Sequence, residues 1–183
     1  GSGVPADRGG ERVLVEPCWR EPGAALSAAR VLGSEVDGAF AEFLVAPARH
    51  ANAVDCTLTD VELATFPCSY STAENLLGRA AVQAGERVLI TGASGGVGSA
   101  AVQLARARGA VVTAVAGADK HEQVRALGAD VVLDRSADVV GALGVGTIDA
   151  AIDVVGGDAW PSLLQVLRAG GRYATAGAIA GPL

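Results

Sequence analysis

From about Val82 onward, short apolar runs alternate with segments whose apolar residues recur at helical spacing. "RVLITG" (87–92) reads as a buried strand. In "VGSAAVQLARARG" the residues Val97, Ala101, Leu104, Ala105 and Arg108 trace one helical stripe that Gly109 can cap. "AVVTAVA" (110–116) predicts a second strand, and Asp119 with Glu122 a capping-box-like start to a helix ending at Gly128. "DVVLD" (130–134) is a third strand, a weak helix follows from Ser136, and "IDAAIDVV" (148–155) is a fourth strand. Asp158 is expected to cap a helix through "AWPSLLQVLRAGG", where Pro161 is tolerable because it lies in the first turn. A fifth strand follows in "RYATAGA" (172–178). Strands and helices in this alternation require right-handed crossovers, so the expected fold class is α/β, a doubly wound parallel sheet (Rossmann fold). Its ligand crevice lies at the carboxyl ends of the strands.

The first 57 residues differ. "ERVLVEP" and "AFAEFLVAP" predict short strands, separated by an irregular Gly/Pro/Ala segment without helical period. This reads as a small β piece over 1–57, too short for a core of its own, ahead of a main domain over 58–183. Thr59 and Glu62 suit a helix start, and "STAENLLGRAAV" predicts a helix leading into the main domain.

Composition narrows the function classes. The net charge of −6 and pI near 4.8, with no Lys/Arg run, would repel a phosphate backbone, so nucleic acid is not an expected partner. No apolar run reaches the roughly 20 residues of a spanning helix, so no membrane partner is expected either. Cys18, Cys56 and Cys68 are odd in number and lack CxxC spacing, which argues against a disulfide framework and a zinc knuckle and leaves the cytoplasm as the expected location. The chain has no methionine and opens "GSG", which reads as a tag-cleavage scar on an excised fragment.

The stretch "ITGASGGVGS" (90–99) satisfies three patterns at once. Gly92, Ser94 and Gly96 match the nucleophile elbow of a serine hydrolase. A hydrolase needs an acid and then a histidine after its serine; here only His121 follows, two residues beyond Asp119, a spacing that cannot form base and orienter. Thr91, Gly92, Gly96 and Gly98 match the TGxxxGxG of short-chain dehydrogenases, which need a lysine four residues after a tyrosine to lower the phenol's pKa. Glu74 and Gly177 stand at those places. What survives is a variant dinucleotide fingerprint with Ala93 in place of its first glycine. Ser94 becomes a small turn residue, Gly95 permits close approach of a pyrophosphate, and Gly98 permits tight packing of helix on strand.

An acid after the second strand would bind the ribose hydroxyls of NAD and repel a 2′-phosphate by roughly 4 kcal/mol at about 4 Å and an effective dielectric near 20. The residue at that spacing is the uncharged Gly117, and Lys120 and Arg135 are placed to face the adenosine end. The cofactor expected is therefore NADP rather than NAD. Asp119 argues the other way, but reads more simply as a helix cap.

"DGAFAEFLVAPA", "FPCSYSTAENLL", "GERVLITGASGGVGSAAVQLARARGA", "DKHEQVRALGADVVLDR", "IDAAIDVVGG" and "LRAGGRYATAGAIAG" run in one order along the chain. In this the chain resembles the medium-chain dehydrogenase/reductase superfamily, especially its quinone oxidoreductase and zinc-type alcohol dehydrogenase-like members. The resemblance implies that Gly95, Gly96, Val97 and Gly98 hold the pyrophosphate, that Gly117, Lys120 and Arg135 surround the adenosine phosphate, and that Thr72, Val155, Gly156, Gly177 and Ala178 line the nicotinamide end. It also implies that residues 1–57 are part of a GroES-like β domain and that the sixth strand of the sheet is missing. A fifth-strand edge left open would then favour a homodimer through that edge.

Cys68 matches the place of a catalytic zinc ligand in zinc-dependent members. The earlier cysteine and histidine are absent, and one thiolate does not make a tetrahedral site, so no zinc is expected and Cys68 reads as a small buried hydrophobe. The reading that results is the cofactor-binding part of an NADPH-dependent oxidoreductase reducing a small-molecule quinone, carbonyl or activated alkene. No catalytic acid or base can be named. The competing reading is a nucleotide-binding module without turnover, or an enoyl reductase module of a multidomain synthase.

Overall fold

The computed structural model describes Val4 and residues 8–181, so the "GSG" start and the Leu183 end lie outside the described residues. The chain divides into two compact units, with the division between Cys68 and Ser69.

Unit 1 contains strands β1 (Val13–Val15), β2 (Cys18–Trp19), β3 (Arg30–Val31) and β4 (Ala51–Ala53), followed by helix α1 (Asp60–Leu63). β1 pairs antiparallel with β4, and β2 with β3, as two separate two-stranded sheets. "ERVLVEP" thus does form a strand, but "AFAEFLVAP" does not: residues 39–47 hold no strand, and Phe40, Phe43 and Val45 are almost fully exposed. Its partial alternation has no neighbouring strand or apolar face to close on. α1 begins as the sequence predicts. The Thr59 hydroxyl accepts from the Glu62 N–H, and the Glu62 carboxylate accepts from the Thr59 N–H at 2.7 Å.

Helix α2 (Phe66–Arg79) runs into unit 2, which continues with β5 (Arg87–Ile90), α3 (Gly96–Ala107), β6 (Val111–Ala116), α4 (His121–Ala126), β7 (Val131–Asp134), α5 (Val139–Leu143), β8 (Ile148–Asp153), α6 (Trp160–Val166) and β9 (Leu167–Thr175). The five strands form one parallel sheet in the order β7-β6-β5-β8-β9, the doubly wound Rossmann arrangement expected. The order reverses between β5 and β8, so the crevice opens there.

Side-chain alternation along the strands serves two buried layers. Val88 and Ile90 of β5 pack with Leu77 of α2, Ala101 and Ala105 of α3 and Val124 of α4, whereas Leu89 faces Leu163 and Val166 of α6. Each fully buried Leu or Ile contributes roughly 1.5–3 kcal/mol by leaving water, and small alanines let α3 lie close to the sheet. Gly109, in the left-handed region at φ +79°, ends α3 as predicted.

Three predicted boundaries are corrected. Asp119 does not cap a helix: it lies in a 3-10 turn at Ala118–Lys120 with no side-chain cap, and α4 starts at His121. Asp158 likewise sits inside a 3-10 turn (Gly157–Ala159) and caps nothing. The helix that begins at Trp160 ends at Val166, because Leu167 already pairs with Ile148; the register then jumps to Ala150 opposite Arg172, so residues 168–171 bulge out of the ladder. Gly170 at φ +74° takes up that bulge, where a side chain would be strained.

Candidate functional site

The switch point is built from the ends of β5, β6 and β8. After Ile90 the chain passes through Thr91 and turns at Gly92, whose φ of +57° lies in the left-handed region. A Cβ at Gly92 would stand 2.8 Å from a Val154 methyl. The Gly95 N–H donates to the Gly92 carbonyl at 3.0 Å, Gly95 caps α3, and the helix starts at Gly96. The turn therefore directs the N-terminal N–H groups and positive dipole end of a three-turn helix into the crevice, a ready-made place for a pyrophosphate.

The fingerprint residues divide by role. Ala93 is fully buried, with its N–H donating to the Val115 carbonyl at 3.0 Å, so it builds the turn from inside. A Cβ at Gly98 would fall 2.1 Å from the Gly92 carbonyl oxygen, so Gly98 is needed for helix-to-turn packing. A Cβ at Gly95 would meet only the Gly92 carbonyl, at 3.4 Å, and Ser94, Gly95 and Gly96 are exposed. Nothing in the protein's own packing demands glycine at 95, whereas an approaching phosphate would, so the turn fits the dinucleotide. Val97 is half-buried against the core.

A cavity of about 360 Å³ lies along the carboxyl ends of the strands, lined at one end by Gly117 and Arg135 and at the other by Val155 and Gly156, with Thr91 and Ser94 between. Of the residues proposed from sequence, this cavity brings together Ser94, Gly117, Arg135, Val155 and Gly156. Gly177 and Ala178 do not line it but back onto it: a Cβ at Gly156 would stand 3.0 Å from the Gly177 carbonyl oxygen and 3.1 Å from the Ala178 Cα. Thr72, half-buried on α2, does not line it, and neither does Lys120, which is exposed and 3.7 Å from the Asp119 carboxylate. Asp119 stands beside Gly117, with its Oδ1 3.0 Å from where a Cβ would be, but outside the cavity wall.

Sequence reasoning missed Asp138, Ser162 and Asp153, which also line the cavity. α5 and α6 deliver the first two without any local motif. The readable signal for Asp153 was an acid inside the apolar run 148–155. Burial raises the Asp153 carboxyl pKa, but hydrogen bonds from Thr91, Tyr173 and the Val155 and Gly156 N–H groups outweigh it and hold the carboxyl below its usual value. Burial first, and the Asp153 carboxylate second, push the Tyr173 phenol well above its usual 10.

Among the described residues no histidine is placed to activate Ser94. The His121 ring lies 3.3 Å from the Ala116 carbonyl and 3.8 Å from the Asp134 carboxylate, and His50 is paired with Glu16 in unit 1. Among the described residues no group of three or more His, Cys, Asp or Glu side chains could hold a metal, so these residues do not fit a zinc site. Cys68 is exposed, contrary to the expectation of a buried hydrophobe. No helix among the described residues is long and apolar enough to cross a membrane.

Fold and turn together define the class: a nucleotide-binding α/β domain of the kind found in oxidoreductases. The zinc-binding dehydrogenase family matches residues 96–183. A solved structure from Sinorhizobium meliloti 1021, assigned as an alcohol dehydrogenase, is 48% identical with a TM-score of 0.92, covering 100% of this chain and 52% of that one. The erythronolide synthase EryA2 of Saccharopolyspora erythraea is 47% identical over 102 residues, 55% of this chain and 3% of the synthase. The structure of the CurK enoyl reductase is 31% identical with a TM-score of 0.67, covering 74% of this chain and 42% of that one. These similarities support the resemblance to the medium-chain dehydrogenase/reductase superfamily, and the chain spans about half the length of the first of these structures.

Proposed function

We propose that this chain is the cofactor-binding part of an NADPH-dependent oxidoreductase acting on a carbonyl, quinone or activated alkene. When bound, the dinucleotide supplies the hydride. The chain's own residues hold it: Ser94, Gly95 and Gly96 with the start of α3 take the pyrophosphate, Gly117 and Arg135 the adenosine end, and Val155 and Gly156 the far end. The observation that carries the choice of NADPH is that Arg135 lines the cavity beside the uncharged Gly117, while Asp119 stands outside the wall. A guanidinium there is matched to a 2′-phosphate by charge and by its fork of donors.

Fluorescence titration tests this. NADPH is expected to bind more tightly than NADH, and Arg135→Ser is expected to weaken NADPH about tenfold, the scale of one lost charge-assisted hydrogen bond, while leaving NADH within about twofold. Tighter NADH binding by the wild type would overturn the NADPH reading.

A second reading is favoured by the similarity to the erythronolide synthase and to the CurK enoyl reductase: an enoyl reductase module of a multidomain synthase, or a nucleotide-binding module without turnover. Binding of NADPH without its oxidation by an added quinone would support that reading over an independent quinone reductase.

A further inference from the structure

Asp153 ends β8 with 1% of its surface exposed, at a strand end where an aliphatic side chain would bury at no electrostatic cost. Its carboxylate is instead saturated with donors. Oδ1 accepts from the Thr91 hydroxyl at 2.5 Å, the Val155 N–H at 3.0 Å and the Gly156 N–H at 3.2 Å, and Oδ2 accepts from the Tyr173 hydroxyl at 2.5 Å. Thr91 in turn accepts from the Val154 N–H at 3.1 Å. These bonds tie the end of β5 to the end of β8, across the place where the strand order reverses.

What they hold is the turn at 154–156. Gly156 adopts φ +69° and ψ −157°, a region open in practice only to glycine. Behind it there is no room to relax: a Cβ at Gly157 would stand 2.6 Å from the Ala180 carbonyl oxygen, and one at Gly177 2.4 Å from the Val154 carbonyl oxygen. The turn is thus fixed from one side by Asp153 and from the other by the backbone after β9, and it presents Val155 and Gly156 to the cavity.

A dinucleotide lies across the switch point of such a sheet, with its adenosine half over the second strand. That half belongs at Gly117 and Arg135, which leaves the other half for the Val155–Gly156 turn. We propose that Asp153, at the cavity wall, is a positioning residue for the nicotinamide half of the cofactor, acting through the turn its carboxylate holds. The proposal rests on the dinucleotide reading given above.

The test is a split between a whole ligand and half of it. The full chain is titrated calorimetrically with NADPH and with 2′,5′-ADP, which carries only the adenosine side; if NADH binds more tightly, NADH and AMP take their places. Asp153→Ala is expected to weaken the whole dinucleotide about tenfold or more and the adenosine half by no more than about twofold. Asp153→Asn keeps an Oδ1 for the same three donors and an Nδ2 that can donate to Tyr173, so it is expected to recover affinity to within about threefold of wild type. Should Asp153→Ala not fold, Thr91→Val cuts the same tie more gently and is expected to show the same split at about threefold. Equal losses for both ligands, no loss for either, or an Asn variant no better than Ala overturns the proposal. A wild-type chain that binds neither ligand overturns the dinucleotide reading itself.

Discussion

The two units of the chain are held by different kinds of interaction. In unit 2, Val88, Leu89, Ile90, Ile148 and Ile152 are entirely buried in a five-stranded sheet covered on both faces. In unit 1 the strands are two or three residues long, and side chains stitch them by gripping backbone. The Arg8 guanidinium donates to the Ala48 and Ala51 carbonyls, the Arg12 guanidinium to those of Cys56 and Leu58, and the ring of His50 lies 2.8 Å from the Glu16 carboxylate and 6.2 Å from the Trp19 ring. Apolar burial is cooperative over a whole layer, whereas each polar grip is worth about 1 kcal/mol net and acts locally. The difference teaches where damage spreads: in unit 2 through the layer, in unit 1 no farther than the stitch that is cut.

The comparison breaks most sharply at Gly98. Gly98→Ala drives a methyl to within 2.1 Å of backbone that cannot yield, and a loss of about 3 kcal/mol or more is expected in chemical denaturation. Gly95→Ala, three residues away at the same turn, is expected to stay within about 0.5 kcal/mol of wild type while weakening dinucleotide binding. If both glycines cost the same stability, the division of the fingerprint into packing and ligand roles is wrong.

A comparable effect contrasts apolar residues of the two units. Leu77→Ala removes a fully buried side chain and is expected to cost about 2–5 kcal/mol, whereas Phe43→Ser, at a residue 84% exposed, is expected within about 0.5 kcal/mol. A Phe43 variant as damaging as the Leu77 one would show that unit 1 has a shared core after all.

The smallest effect is electrostatic. The hydrogen bond to His50, ahead of burial which opposes it, lowers the Glu16 pKa below its usual 4.5. A carboxyl lowered on folding contributes stability that is present above the unfolded value and lost as the pH falls through the folded one. Glu16→Gln should therefore be less stable than wild type near neutral pH and converge with it as the pH falls through the lowered Glu16 value. Thermal scans read by Trp19 fluorescence, in a Trp160→Phe background, check this. Curves that stay parallel down to low pH would remove the stitch from the account.

Much of unit 2 was readable because its signals are local. Apolar runs bounded by glycine announce strands, and a glycine turn between strand and helix announces the crevice. What escaped depends on distant partners. Nothing near Leu167 shows that it pairs with Ile148, so the helical pattern runs on past the real end of the last helix. Asp119 and Asp158 read as caps because acids favour helix starts, but in each case a 3-10 turn intervenes before the α-helix. Thr91 and Asp153 meet across 62 residues of chain, so their tie has no spacing to read. In "AFAEFLVAP" the alternation was real, but alternation needs a face to be buried against, and the described residues provide none there.

The layer between α3 and the sheet is filled largely by Ala100, Ala101, Ala105, Ala110, Ala114 and Ala150, each at most 1% exposed. Such a layer has almost nothing to lose by trimming, since alanine can shrink only to glycine. Its vulnerability points the other way: a single-base change from alanine to valine adds bulk where helix and sheet already touch. Random mutagenesis of this chain should therefore record its losses of stability in this layer mainly as side chains that grew.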